Sequence, residues 1–328
     1  MGEFDLIKHY FEQPQRQADD FVSLSIGDDC ALVSVPENSR LAITTDTMVE
    51  NTHFLPSVSP EDLAYKAVAT NLSDLASMGA QPKWVSLALT LPKIDENWLA
   101  RFSQSLLHTL KNHNVTLIGG DTTKGPLSIT ITAQGFVEKE RALCRHQAKV
   151  GDLIYVSGTL GDSAAGLQQI LSGKRAVGFD EEFLQQRHLR PTPRITLGQA
   201  LVDIAHAAID LSDGLNSDLR HILKRSQCAA EIDLSDLPLS SSLLNLYEHT
   251  QAEQFALGGG EDYELCFTIS PESQSILETR LQNLDVVCTC IGRIIEAKCG
   301  QFATCFLRNG KVVEYSPKSG FDHFKEVK

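Results

Sequence analysis

The sequence predicts a two-domain chain of mixed α and β structure, α+β or α/β in class, and three observations carry that prediction. At 328 residues the chain is long for one domain at roughly 100–200 residues each, and either half can bury its own core. Short β-rich runs alternate with segments whose apolar residues recur at helical spacing. A polar, basic-rich stretch, EKERALCRHQAKVGD, breaks the pattern near 138–151, which sets the domains at 1–140 and 149–328.

Taken in order, residues 41–45 (LAITT) form a short strand that ends at Asp46. A helix is expected over 60–78. Ser59 suits the N-cap, Pro60 the first helical position, Asp62 the first turn and Gly79 the stop. Residues 84–91 (WVSLALTL) form a strand closed by Pro92. Residues 96–113 form a helix on the spacing of Trp98, Leu99, Phe102, Leu106 and Leu110. Strands follow at 115–118 and 127–137; the strands at 84–91 and 127–137 are apolar enough to be covered on both faces. In the second half, 153–157 (LIYVS), 207–211, 230–234, 263–269 and 286–293 are expected strands. Residues 161–171, 194–206, 212–225 and 271–281 are expected helices, the third with Ser212 as N-cap and Asp213 in its first turn. This order suggests two α+β domains rather than one doubly wound sheet. No period of 20–50 residues recurs, which excludes a solenoid.

The charge balance narrows the function. With 29 Lys+Arg against 42 Asp+Glu the net charge is −13, which argues against nucleic acid as a partner and leaves small anions open where cations mediate. No apolar run approaches the ~18 residues of a membrane span, and MGEFDLIKHYF has no signal-peptide core, so a cytoplasmic chain with reduced thiols is expected. The eight cysteines form no C-x-x-C pair. Cys266, inside YELCFTI, reads as a small buried hydrophobe, and Cys288, Cys290 and Cys299 are a poor pattern for a structural metal.

Several carboxylates stand at strand ends or helix starts beside small and apolar residues. They are Asp28 and Asp29, Asp46, Asp74, Asp121, Asp210 and Asp213, and Glu261 with Asp262. No Lys or Arg lies within three residues of Asp46, Asp74, Asp213 or Glu261. A buried carboxylate needs a partner, so these groups either face water singly or converge on hard cations such as Mg²⁺. Asn71 and Asp74 share a helix face, as ligands of a site or as one hydrogen-bonded buried pair. Gly119-Gly120, Gly158 with Gly161, and Gly258-Gly259-Gly260 stand where turns let a backbone approach a phosphate, or are ordinary turns. There is no G-x-x-x-x-G-K-[ST] loop, no H-R-D or D-F-G set and no G-x-S-x-G elbow.

Seven blocks occur in order: IGDDCA (26–31), TTDTMVENTHF (44–54), AYKAVATNLSDLASMGAQP (64–82), IGGDTTKGP (118–126), VSGTLGDSAAGL (156–167), IDLSDGL (209–215) and GGGEDYEL (258–265). Together, from GEFDLI near the start to SGFDHF near the end, they resemble the thiamine-monophosphate kinase family of the aminoimidazole-ribonucleotide-synthetase-like ATP-binding superfamily. The resemblance implies a synthetase-like N-terminal domain whose mixed sheet joins that of a second subunit in a dimer barrel, hence a homodimer. It also implies a synthetase-like C-terminal α/β domain. The implied reaction is ATP-dependent phosphorylation of thiamine monophosphate to thiamine diphosphate. By the same resemblance Asp29, Thr44, Thr45, Asp46, Asp74, Asp121, Asp210 and Asp213 would hold Mg²⁺, with Asp28 beside them. Gly120, Asp121, Arg145 and Ser212 would contact ATP, and His53, Glu261 and Phe321 the acceptor. Read alone, His53 is a structural loop histidine and Arg145 a linker cation. Another ATP-using synthetase of the superfamily and a non-catalytic nucleotide-binding module are the alternatives.

Overall fold

The computed structural model describes residues 2–12, 20–298 and 300–315, so Cys299 and Phe321 lie outside the described residues. The chain divides into two compact units, Met1–Leu75 with Ala80–Glu140, and Ala76–Gly79 with Arg141–Lys328.

The first unit runs through α1 (Glu3–Tyr10), β1 (Val22–Leu24), β2 (Leu32–Val33), β3 (Ser39–Val49), α2 (Pro60–Ser77), β4 (Gln81–Leu91), α3 (Glu96–Asn112), β5 (Thr116–Lys124) and β6 (Ser128–Glu138). β1 and β2 make a small ribbon. The other four strands form one sheet in the order β3-β6-β4-β5, with β4 and β5 parallel and the remaining neighbours antiparallel. The start of α2 is as expected: Ser59 Oγ accepts the Asp62 N–H at 3.1 Å and donates to the Asp62 carboxylate at 2.7 Å. Its stop is Gly79 in the left-handed region at φ 69°. α3 buries Leu99, Phe102, Leu106 and Leu110, the stripe that predicted it. In β4, Trp84, Leu87, Leu89 and Leu91 are buried, whereas Ala88 is exposed and Ser86 and Thr90 are half-buried. In the single chain Val85, Leu87, Leu89 and Leu91 share one covered face, and the other face is covered only at its Trp84 end, against Ile118 and Phe136.

β3 and β5 run well past their expected C-terminal ends. β3 extends to Val49 because it pairs residue for residue with β6, and hydroxyl pairs Thr45–Thr132 and Thr47–Thr130, each at 2.9 Å, continue the ladder where the apolar pattern stops. β5 continues through Gly119-Gly120 to Lys124. The glycine pair is part of the strand and not a turn after it, and the register against β4 shifts at Val85/Ser86.

The second unit contains β7 (Leu153–Ser157), α4 (Asp162–Leu171), α5 (Phe179–Leu189), α6 (Ile195–Leu201), β8 (Ala205–Asp210), α7 (Leu215–Ser226), β9 (Ala229–Asp233), α8 (Ser241–Leu246), α9 (His249–Gly258), β10 (Leu265–Ile269), α10 (Gln274–Leu281), β11 (Cys288–Ile295), β12 (Thr304–Arg308) and β13 (Lys311–Val312). Its seven strands form one sheet in the order β13-β12-β9-β11-β7-β10-β8, antiparallel except for β12 beside β9. The sheet separates two apolar layers. Along β10, Leu265, Phe267 and Ile269 enter one layer and Cys266 the other, as strand alternation requires. Burial drives the Cys266 thiol far up, so it behaves as the buried hydrophobe expected.

The helix expected over 194–206 ends at Leu201. Val202 is extended and Asp203 is left-handed at φ 71°, which turns the chain into β8 at Ala205, two residues before the strand expected from 207. The segment expected as one helix from 271 opens as a 3-10 turn over Pro271–Ser273 before α10. No helix among the described residues is long and apolar enough to cross a membrane.

Candidate active site

Two carboxylates of the first unit, Asp46 and Asp74, come together where β3 meets α2. Alternation along β3 puts Thr44 and Asp46 on one face and turns the Thr45 hydroxyl to the other, onto Thr132. Asn71 and Asp74, one turn apart on α2, both reach that strand. Asn71 Oδ1 accepts the Asp46 N–H at 3.2 Å while its Nδ2 donates to Ala67 O at 2.9 Å, and Thr44 Oγ1 donates to the Asp74 carboxylate. Asn71 and Asp74 thus serve β3 rather than each other. Burial, followed by the charge of Asp74, pushes the Asp46 carboxyl up to about 6, against a hydrogen bond from Thr70. Two mutually repelling carboxylates framed by hydroxyls are an all-oxygen donor set, and that set fits a hard divalent cation.

The remaining candidates of this unit are more open. Asp121 is exposed on β5 opposite Ala88, and Asp28 and Asp29 are exposed, the Asp29 N–H donating to Asp28 Oδ1 at 2.9 Å. Gly120 has φ 152°, and a Cβ there would lie 1.8 Å from Leu87 O, so strand contact alone demands glycine. His53 accepts the Val49 N–H on Nδ1 at 3.0 Å, which places the proton of a neutral ring on Nε2. Among the described residues no group of three or more His, Cys, Asp or Glu is spaced to hold a metal ion.

In the second unit two loops are stitched together. β8 ends at the buried Asp210, and the segment 211–214 follows it. Ser212 is not a helix N-cap: α7 starts at Leu215 after Gly214, whose φ is 107°. The carboxylate of Asp218, inside the first turn, captures the N–H groups of Asp213 at 3.0 Å and Gly214 at 3.1 Å and so holds 211–214 out of the helix. Burial pushes the Asp218 carboxyl up to about 7 even against those bonds. Arg145 is exposed, and its carbonyl accepts from Ser226 Oγ at 2.9 Å.

The facing loop is 259–264, which stays irregular up to Leu265 instead of joining the strand expected from 263. The N–H of Glu261 donates to Ser212 O at 2.8 Å, that of Tyr263 to Leu211 O at 2.9 Å, and that of Leu211 to Glu264 O at 2.8 Å. Glu261 and Tyr263 adopt left-handed φ of 67° and 51°, a cost that persists only because both loops are pinned. The second unit therefore presents Ser212, Asp213 and Glu261 on one interlocked pair of loops.

Family models for AIR synthase related protein match this chain twice, the N-terminal domain over residues 27–137 and the C-terminal domain over 149–302. The chain is 76% identical over 328 residues to the thiamine-monophosphate kinase of Haemophilus influenzae, covering 100% of this chain and 99% of that one. The chain belongs to the thiamine-monophosphate kinase family. Solved structures of the family agree. The crystal structure of thiamine-monophosphate kinase from Stenotrophomonas maltophilia K279a is 43% identical with a TM-score of 0.83, covering 90% of this chain and 93% of that one. The structure of AaThiL complexed with AMPPCP and TMP is 34% identical with a TM-score of 0.76, covering 98% and 96%.

Beneath the Glu261 loop this member of the thiamine-monophosphate kinase family buries a charged cluster that sequence reading missed. Glu264, wholly buried, accepts from Arg194 Nε at 2.7 Å and Nη2 at 2.6 Å, from Arg187 Nη2 at 2.8 Å and from Ser157 Oγ at 2.5 Å. Burial alone would raise the Glu264 carboxyl, but Arg194, Arg187 and Ser157 outweigh it and hold it below the usual carboxylate range. Asp262 accepts the N–H groups of Gly161 at 2.7 Å and Ser163 at 3.1 Å, and so caps α4 from a distant loop. Asp162 accepts from Ser240 and Thr159, each at 2.5 Å. Glu264 and Asp262 stand in the GGGEDYEL block, so the signal was present, but their partners are scattered over β7, the start of α4, α5 and the residue before α6, and the sequence of α5 carries little amphipathic pattern.

Proposed function

We propose that the protein transfers the γ-phosphoryl group of ATP to thiamine monophosphate, giving thiamine diphosphate and ADP. The observation that carries this reading is full-length similarity to thiamine-monophosphate kinases, together with a relative complexed with AMPPCP and TMP, which we read as stand-ins for ATP and the acceptor itself. The acceptor is a phosphate monoester with a second pKa of ~6, so at neutral pH its attacking oxygen is already mostly ionised and needs no strong base. The obstacle is repulsion between two anions, and the task of the protein is to hold them in line.

On this reading Asp29, Thr44, Thr45, Asp46, Asp74, Asp121, Asp210 and Asp213 would hold Mg²⁺, Thr45 through its main chain because its hydroxyl is engaged by Thr132. Mg²⁺ bound by such oxygens supplies screening of the triphosphate charge. Gly120, Asp121, Arg145 and Ser212 contact ATP, Arg145 as a cation and Ser212 from its pinned loop. His53 offers its Nε2–H, and Glu261 its carboxylate, to the acceptor. Phe321, outside the described residues, completes that set by resemblance. Transfer is direct and uses no cysteine or histidine nucleophile, because the acceptor oxygen is already ionised and can attack the γ-phosphorus itself. Single-turnover reaction with γ-labelled ATP tests this. Label should pass to thiamine diphosphate, and trapping of a phosphoprotein would refute direct transfer.

The functional division follows 1–140 and 149–328, and the protein works in the cytoplasm as a homodimer. The outward face of β3, with Ile43 62% exposed beside Thr45 and Thr47, supports a second copy as its cover. Light scattering should give twice the mass of the chain, and a monomer at working concentration would remove the dimer.

A further inference from the structure

We propose that His188 is a positioning residue that holds the Glu261 carboxylate in the orientation in which Glu261 meets the acceptor, an inference resting on the assignment of Glu261 to the acceptor. His188 lies on α5 and is 5% exposed, whereas the Glu261 side chain keeps 29% of its surface open for a ligand atom. The imidazole Nδ1 is 3.3 Å from Glu261 Oε2 and 3.1 Å from Ser163 Oγ. A carboxylate oxygen that close favours the tautomer with its proton on Nδ1, and in that tautomer the ring faces Glu261 as a donor.

Three further contacts make this an oriented arm. The N–H of Ser163 is fixed on Asp262 at 3.1 Å, so the hydroxyl beside the ring is itself placed by the same loop. Arg187, the residue before His188, reaches Glu264 at 2.8 Å. One turn of α5 therefore grips both glutamates of the 259–264 loop, Glu264 by Arg187 and Glu261 by His188. The main chain of Glu261 is left-handed and tied to Ser212 O, so its side-chain rotamer sets where the carboxylate points, and His188 lies against that carboxylate.

The test uses His188→Asn, whose amide nitrogen falls near Nδ1, and His188→Gln, which places its amide near Nε2 instead. Both are polar and similar in size, so both keep the fold. In the full-length enzyme His188→Gln should raise the KM for thiamine monophosphate about tenfold and leave the KM for ATP within about twofold, while His188→Asn stays near wild type. In a Glu261→Gln background the His188→Gln effect should vanish, because the histidine acts through the carboxylate. Equal changes in both KM values, equal behaviour of the Asn and Gln variants, or full additivity with Glu261→Gln would overturn the positioning role. An unmodified protein that forms no thiamine diphosphate would strike instead at the function itself.

Discussion

Arg194 and Glu264 meet side-on in the interior of the second unit, with Nε at 2.7 Å and Nη2 at 2.6 Å from the two carboxylate oxygens. The pair joins the segment before α6 to the last residue of the 259–264 loop. It places the loop bearing Glu261 on a rigid base rather than on solvent.

Removal of Arg194 leaves a buried carboxylate with Arg187 as its remaining guanidinium. Arg194→Met should cost about 3 kcal/mol, because the lost partner uncovers a charge that burial cannot tolerate. Urea unfolding measures it. A loss below about 1 kcal/mol would mean that the cluster does not anchor the loop.

The pH dependence follows from the depressed Glu264 carboxyl. Its folded pKa lies below the ordinary 4.5, so its contribution is present above that value and is lost as pH falls through the folded pKa. Glu264→Gln should therefore lower Tm most at neutral pH, with the gap from wild type closing as the pH drops below about 4.5. A gap that widens on acidification would reverse the sign of this account.

Gly120 separates strand geometry from ligand contact. Gly120→Ala drives a Cβ to 1.8 Å from Leu87 O, so the variant should lose about 2 kcal/mol in stability in the absence of any nucleotide. An unchanged Tm with weakened ATP binding would assign the glycine to the nucleotide alone.

Asp46→Asn and Asp74→Asn each remove one charge from the β3–α2 pair while keeping its shape. Each should reduce kcat at least about 100-fold and raise the Mg²⁺ concentration needed for half-maximal rate. Near wild-type rates would take these residues out of the active site.

Much of this was legible in the chain before any coordinates. α3 announced itself by Leu99, Phe102, Leu106 and Leu110, and α2 by Ser59 and Gly79, because local spacing and caps carry their own physics. Asp46 and Asp74 stood out as carboxylates with apolar flanks and no local cation. The sidedness of Thr45 was not visible, since the apolar pattern stops where β3 continues on hydroxyl pairs. Nor was the cluster under Glu261. Arg194 and Arg187 stand 70 and 77 residues from Glu264, and α5, burying Leu184 and His188, shows no stripe that would mark it as a helix. Ser212 looked like a cap because its residue type suits one, but Asp218 had already taken the N–H groups.

The most direct test is acceptor-dependent turnover by the purified protein with Mg²⁺ and ATP. On adding thiamine monophosphate, ADP and thiamine diphosphate should appear in equal amounts, and ADP release should be negligible without the acceptor. ATP binding with no acceptor-dependent ADP, or ADP formed only with a different acceptor, would contradict the account.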